Sequence, residues 1–175
     1  SGLEHKTLLS LMVYSKVDEA AFFLSLLNFE QRQSLLNSLE APKRIKVQQY
    51  LEYPEDSVGR IMQSHSFHMP IHLSAAEGIA LLRSRAQEEA IYYIYCVNDE
   101  KQLVGVVSLR VLATAPADQP VSELVKREVV TVTPETEADE VARLVAHYDF
   151  IAVPVIDKDR HLIGVVTVDD VLDII

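Results

Sequence analysis

Residues 117–175 carry 13 Asp and Glu against 5 Lys and Arg, in a 175-residue chain whose formal net charge is −10. Cations are therefore drawn to the second half of the chain, and the absence of a basic footprint argues against nucleic acid as a partner. The carboxylates crowd into residues 135–173: Glu135, Glu137, Asp139 and Glu140 open one periodic segment, Asp149 follows it, and Asp169, Asp170 and Asp173 sit near the end. A hard divalent cation that keeps several of its waters asks for such clustered acids and needs no rigid all-protein cage. Two like charges ~5 Å apart repel by roughly 0.8 kcal/mol even at the dielectric of water, so several pairs strain an ion-free state that a divalent ion relieves. Acids at a helix start also favour the macrodipole, which accounts for some of them without any ligand.

Other reactive residues point nowhere sharp. His65, His68 and His72 are interrupted by Pro70, which breaks any helical face on which they would converge; strand alternation puts His68 and His72 opposite Met69, as surface histidines. Cys96, within Ile94-Tyr-Cys-Val97, reads as a small buried hydrophobe. The chain has five glycines and no phosphate-cradling loop, nucleophile elbow or His-Glu-x-x-His, so it is not expected to be an enzyme.

The acids must be positioned by a repeat. Gln102-Leu-Val-Gly-Val-Val-Ser-Leu-Arg-Val-Leu112 matches His161-Leu-Ile-Gly-Val-Val-Thr-Val-Asp-Asp-Val171 at an offset of 59, and Ile94–Lys101 matches Val153–Arg160 at the same offset. Upstream, Val58–Met62 matches Val121–Val125, and Ala76–Leu82 matches Asp139–Val145, at an offset of 63. Each copy predicts a short lead, a strand (near Phe67–Met69 and near Val129–Val132), a helix, two hairpin strands and a closing helix: a β-α-β-β-α unit. A unit of this size buries too little surface alone, so the two copies are expected to pack sheet against sheet.

Residues 3–52 differ in kind, with clusters of Leu, Ile, Val and Phe at helical spacing. Helix starts are marked by Ser15 ahead of Asp18, by Asn28 with Gln31 three residues on, and by Pro42. Three to four short helices with wide apolar faces resemble the tail of a larger helical array. The expected architecture is α+β: a helical segment over 1–52, then one repeat over 53–116 and another over 117–175. One cysteine and no secretory signal suit a reducing compartment, and no apolar stretch reaches the ~18 residues of a membrane helix, so this segment is expected to be soluble.

Gly164-Val-Val-Thr-x-x-Asp170, with Val153-Pro-Val ahead of it, resembles the cystathionine-β-synthase (CBS) domain, and two in tandem form a Bateman module. The junction Tyr53-Pro-Glu-Asp-Ser-Val-Gly-Arg-Ile-Met62, between a leucine-rich helical part and the pair, is similar to the cytosolic region of MgtE-type magnesium transporters and channels. The resemblance implies a homodimer formed through the CBS pair, and a connecting plug helix and membrane pore elsewhere in the full chain. It also places the region on the cytoplasmic face of the inner membrane, as a Mg²⁺ sensor that gates the pore. The positions matching the family's Mg²⁺-meeting acids are Glu137, Asp139, Asp149, Asp170 and Asp173, with Asp169, Glu55 and Asp56 nearby. CBS pairs often bind adenine nucleotides between the copies. The resemblance places ATP at the first-copy site, with Tyr93 against the base and Arg110 at phosphate, but Val111 stands where the ribose-gripping Asp is expected. A nucleotide-sensing Bateman module is the alternative reading.

Overall fold

Apolar residues recurring three and four apart organise the first part of the chain into four helices, as a computed structural model describing residues 2–63, 67–85 and 91–173 shows: α1 (Gly2–Tyr14), α2 (Val17–Ser25), α3 (Phe29–Ser38) and α4 (Ala41–Glu52). Asn28 caps α3 by accepting from the Gln31 amide at 2.9 Å, and Pro42 lies in the first turn of α4, both as the sequence predicts. Helix α2 begins one residue later than the Ser15 signal suggests. The Lys16 amide donates to Glu19, while the Ser15 hydroxyl turns back to the Met12 carbonyl at the end of α1.

The first repeat contains α5 (Val58–Ile61), β1 (His68–Pro70), α6 (Ala75–Arg85), β2 (Ile94–Val97), β3 (Leu103–Val107) and α7 (Leu109–Thr114). The second contains α8 (Val121–Leu124), α9 (Ala138–Tyr148), β4 (Ala152–Ile156), β5 (Leu162–Thr167) and α10 (Val168–Leu172). Strand β2 runs parallel to β1 and antiparallel to β3, and β4 and β5 form the second hairpin. The strand expected near Val129–Val132 shrinks to a single parallel bridge, Val132 with Val155. A parallel ladder continuing toward Val130 would need an amide from Pro154, which has none. Met69 is fully buried on β1, whereas His72 lies beyond the strand and pairs with Asp99 at 3.3 Å. His65 lies outside the described residues.

The copies hold one another through a reciprocal exchange. Val58 and Gly59 donate to the Thr136 and Pro134 carbonyls of the second copy, and Val121 and Ser122 donate to Leu73 and Ile71 of the first, positions related by the offset of 63. Gln63 pairs in both directions with Val165 on β5, and Lys126 does the same with Val106 on β3. Each copy's lead thus extends the other copy's sheet. The hairpin turns meet as well: Leu103 donates to the Arg160 carbonyl and Leu162 to that of Lys101.

Burial follows this exchange. One core is shared by the helical segment (Leu24, Leu35, Val47, Tyr50) and the second copy (Val141, Val153, Val166), joined through Val58 and Met62. A second core lies within the first copy around Met69, Cys96 and Leu112. A third, with Tyr95, Leu103, Ala152 and Val165, lies between the sheets. Cys96 is buried, and burial pushes its thiol up to about 12, so it is a packing residue.

Candidate acidic cavity and inter-copy cleft

Because α5 leaves α4 and docks on the second copy, it brings the start of α2 close to the closing helix α10. Between them lies an open cavity of about 960 Å³ whose charged lining is Asp18 and Glu19 from α2, Arg60 from α5, and Asp170 and Asp173 at α10. Arg60 is held from below: its Nε donates to the Tyr53 carbonyl at 2.8 Å and its guanidinium also reaches the Leu51 carbonyl. Burial raises the pKa of Asp18 above the usual carboxylate value, against hydrogen bonds from the α2 backbone, and the charge of Glu19 adds to the rise.

Asp170 is partly committed to structure. Its Oδ2 accepts from the Thr167 amide at 2.9 Å and the Thr167 hydroxyl at 2.7 Å, while Gln63 Nε2 lies 3.3 Å away. Together with the Thr167 hydroxyl accepting from the Asp170 amide, this is a capping box for α10. The equivalent first-copy cap survives without an acid, because Ser108 accepts from the Val111 amide. Asp173, one turn on, is exposed at the C-terminal end of α10.

The remaining acids expected to meet an ion lie elsewhere. Glu137 and Asp139 are exposed at the start of α9, beside the junction: Ala138 donates to the Asp56 carbonyl and Ser57 bridges Glu137, so Glu55 and Asp56 share that edge. Asp149 ends α9 in the left-handed conformation, with φ of 55°. At 1.5 Å rise per residue, the ends of this helix are about 16 Å apart, too far for one ion. Two pairs, Asp170 with Asp173 and Glu137 with Asp139, are therefore local, and the five do not converge.

Among the described residues, three ligand atoms converge within 4.8 Å at Asp157, Asp159 and His161, in the β4–β5 turn. Asp157 Oδ1 accepts from the amides of Asp159 and His161, and its Oδ2 lies 2.9 Å from His161 Nδ1. The first copy builds the same turn with Asn98 and Gln102, whose amide side chains cannot serve as anionic ligands. The convergence is thus a property of the turn.

A second cavity, of about 220 Å³, lies between the sheets and is lined by Tyr93, Tyr95, Val106, Phe150 and Pro154, with Lys126 and Glu128 among its polar residues. Tyr93 is half-buried, and its hydroxyl accepts from the Ile151 amide at 3.2 Å. Arg110 is exposed on α7 and does not line this cavity; the cation that does is Lys126, carried there by the exchanged lead of the second copy. Sequence reasoning missed Lys126, Asp18 and Glu19. Asp18 was visible only as part of a helix-start signal, Glu19 was not singled out, and no local signal shows that their helix faces α10.

One β-α-β-β-α unit and a second copy whose first strand is reduced to a single bridge, with exchanged leads and an inter-copy cleft, define a tandem CBS pair, here joined to a helical segment, and the CBS domain family model matches residues 121–175. The chain is 38% identical over 141 residues to the magnesium transporter MgtE of Bacillus subtilis, covering 80% of this chain and 31% of that protein. It is 40% identical over 144 residues to that of Thermus thermophilus, covering 82% and 32%. A crystal structure of the cytosolic domain of the Mg²⁺ channel MgtE in complex with ATP superposes with a TM-score of 0.85 at 35% identity, covering 96% of this chain and 69% of that one. The crystal structure of the soluble part of a magnesium transporter gives 0.85 at 31% identity, covering 95% and 65%. The chain belongs to the MgtE family and corresponds to its cytosolic regulatory region. It spans about a third of the length of the curated relatives, and among the described residues no helix is long and apolar enough to cross a membrane.

Proposed function

We propose that this region senses cytosolic Mg²⁺ for an MgtE-like transporter or channel and gates its pore, acting as a homodimer through the CBS pair at the inner membrane face. The observation that carries the reading is the cavity bordered by Asp18 and Glu19 of the helical segment and by Asp170 and Asp173 of the second copy. Mg²⁺ there needs only one or two carboxylates and keeps most of its waters, so a preformed cage is not required. Bridging the acids offsets their repulsion and draws the helical segment onto the CBS pair; without the ion the two repel. Glu137, Asp139 and Asp149 are assigned to separate, weaker ion positions that add to the same response.

The test is an MgCl₂ titration of the purified protein at matched ionic strength, following thermal stability and radius of gyration. Compaction beyond the NaCl control is expected. Asp18→Asn should leave the ion-free protein as stable or more stable at pH 7, since it removes a half-buried charge that burial disfavours, and should reduce the Mg²⁺-induced rise in Tm. Equal Mg²⁺ responses in the two proteins would move the sensor away from this cavity.

The inter-copy cavity supports a second reading, adenine-nucleotide binding, because a relative sharing this fold is described in complex with ATP. Its volume lies below the roughly 300–1,000 Å³ of sites that enclose a drug-sized ligand, so it suits a base with the remainder outside. Val111 supplies no ribose acceptor, and Lys126 replaces Arg110 as the nearby cation.

A further inference from the structure

The cavity between α2 and α10 holds a permanent positive charge among its acids. Among the described residues its charged lining is four carboxylates, Asp18, Glu19, Asp170 and Asp173, and a single guanidinium, that of Arg60. A guanidinium keeps its proton at any working pH, so the charge is constant. It is also fixed in place. Helix α4 has no basic residue in its last turn, and Arg60, reaching back from α5, donates Nε to the Tyr53 carbonyl at 2.8 Å and Nη2 to that of Leu51 at 3.1 Å. The carbonyl end of a helix favours a cation, which holds the side chain further. Gly59, beside it, has no room for a Cβ against the Tyr53 ring, so α5 sits hard on the end of α4. Among the described residues no carboxylate of the cavity forms an ion pair with Arg60, whose hydrogen bonds go to backbone. Its charge is therefore left to act on whatever cation enters.

We infer that Arg60 is an affinity-setting residue of this cavity, a pinned positive charge that holds its affinity for a divalent cation below what the four acids alone would give. The inference rests on the reading above that Mg²⁺ binds there. One positive charge repels a divalent ion twice as strongly as a monovalent one. At about 10 Å in water that repulsion changes the affinity for a divalent ion by about fourfold, and salt screens it. A guanidinium free to swing would pair with one acid and occupy it. Held on the α4 carbonyls, Arg60 makes the whole cavity less negative without occupying a carboxylate. Capping α4 calls only for donors, which a neutral amide also has; the charge is the part that reaches the ion.

The experiment titrates the full chain with MgCl₂ by calorimetry, at about 20 mM and about 500 mM NaCl, for wild type, Arg60→Gln, Arg60→Lys and Ser10→Arg. Arg60→Gln should bind Mg²⁺ about threefold more tightly than wild type in low salt and equally in high salt. Arg60→Lys keeps the charge and should match wild type in affinity, although both substitutions loosen the hold on α4 and lower the Tm. Ser10, exposed on the α1 wall of the same cavity, takes no part in those bonds. Ser10→Arg therefore adds a second charge with the α4–α5 contact intact, and should weaken Mg²⁺ binding about threefold with the same salt dependence. Unchanged or weaker binding by Arg60→Gln, or a gain undiminished in high salt, makes Arg60 a structural clasp and overturns its role while the Mg²⁺ reading stands. An equal gain in Arg60→Lys overturns it too, because the charge is then not the cause. If Arg60→Gln does not fold, Ser10→Arg decides: an unaltered affinity there shows that cavity charge does not set Mg²⁺ binding. Absence of Mg²⁺ binding by wild type overturns the Mg²⁺ reading and the inference together.

Discussion

Single carboxylates in this chain hold different jobs that their residue type does not reveal. Asp157 serves the β4–β5 turn: burial raises its pKa, but donors from the amides of His161 and Asp159 and from the His161 ring outweigh that and hold its carboxyl below the usual range. A carboxyl depressed in the folded state contributes stability above its unfolded pKa and loses it as the pH falls through the folded value. Its contribution is therefore present at neutral pH and disappears below about pH 4. Asp157→Asn keeps the turn acceptor, as Asn98 does in the first copy, and should flatten the acid limb of a Tm-versus-pH profile measured from pH 2.5 to 6. An unchanged limb would assign the acid sensitivity elsewhere. Residue type did foretell that the second-copy acids gather near helix ends. The partners of Asp18 and Glu19 were hidden because they lie about 150 residues away in sequence, across an interface that no local pattern encodes.

At the scale of elements, the repeat was legible because strand pairing and helix caps impose the same residues on both copies: Gly105 and Gly164, Ser108 and Thr167, Asn98 and Asp157. The exchange of leads was not legible, since matching sequences are equally consistent with each lead docking on its own copy. Gly105 shows what the exchange demands. A Cβ there would lie 2.2 Å from the Lys126 carbonyl oxygen, at the point where Lys126 and Val106 pair in both directions. Backbone cannot yield as a flexible side-chain end does, so Gly105→Ala should cost about 1–3 kcal/mol or more, the range for overpacking. Gly164, facing the Gln63 carbonyl at 2.8 Å, should be less sensitive. Denaturant unfolding of the two variants checks the order; equal stability of Gly105→Ala and wild type would remove the steric account.

For the whole molecule, the exchange decides which parts stand or fall together. The helical segment is followed in sequence by the first copy, yet it shares its core with the second, because the junction crosses over and places Val58 and Met62 among Val141, Val153 and Val166. A change in the helical segment is therefore transmitted to β4, β5 and α9, and onward to α10 with its acids, while the core around Met69 and Leu112 is buffered. Leu24, fully buried in α2, offers the test. Leu24→Ala removes part of the shared core, a class of change that costs about 2–5 kcal/mol. Native-state hydrogen exchange resolves sub-global openings, so loss of protection should be largest in α2–α4, β4, β5 and α9, and smaller in β1–β3 and α6. An equal loss across both sheets would mean that the two copies and the helical segment open as one unit. Coupling would then run through the inter-sheet core of Tyr95, Leu103 and Val165 rather than through the crossover.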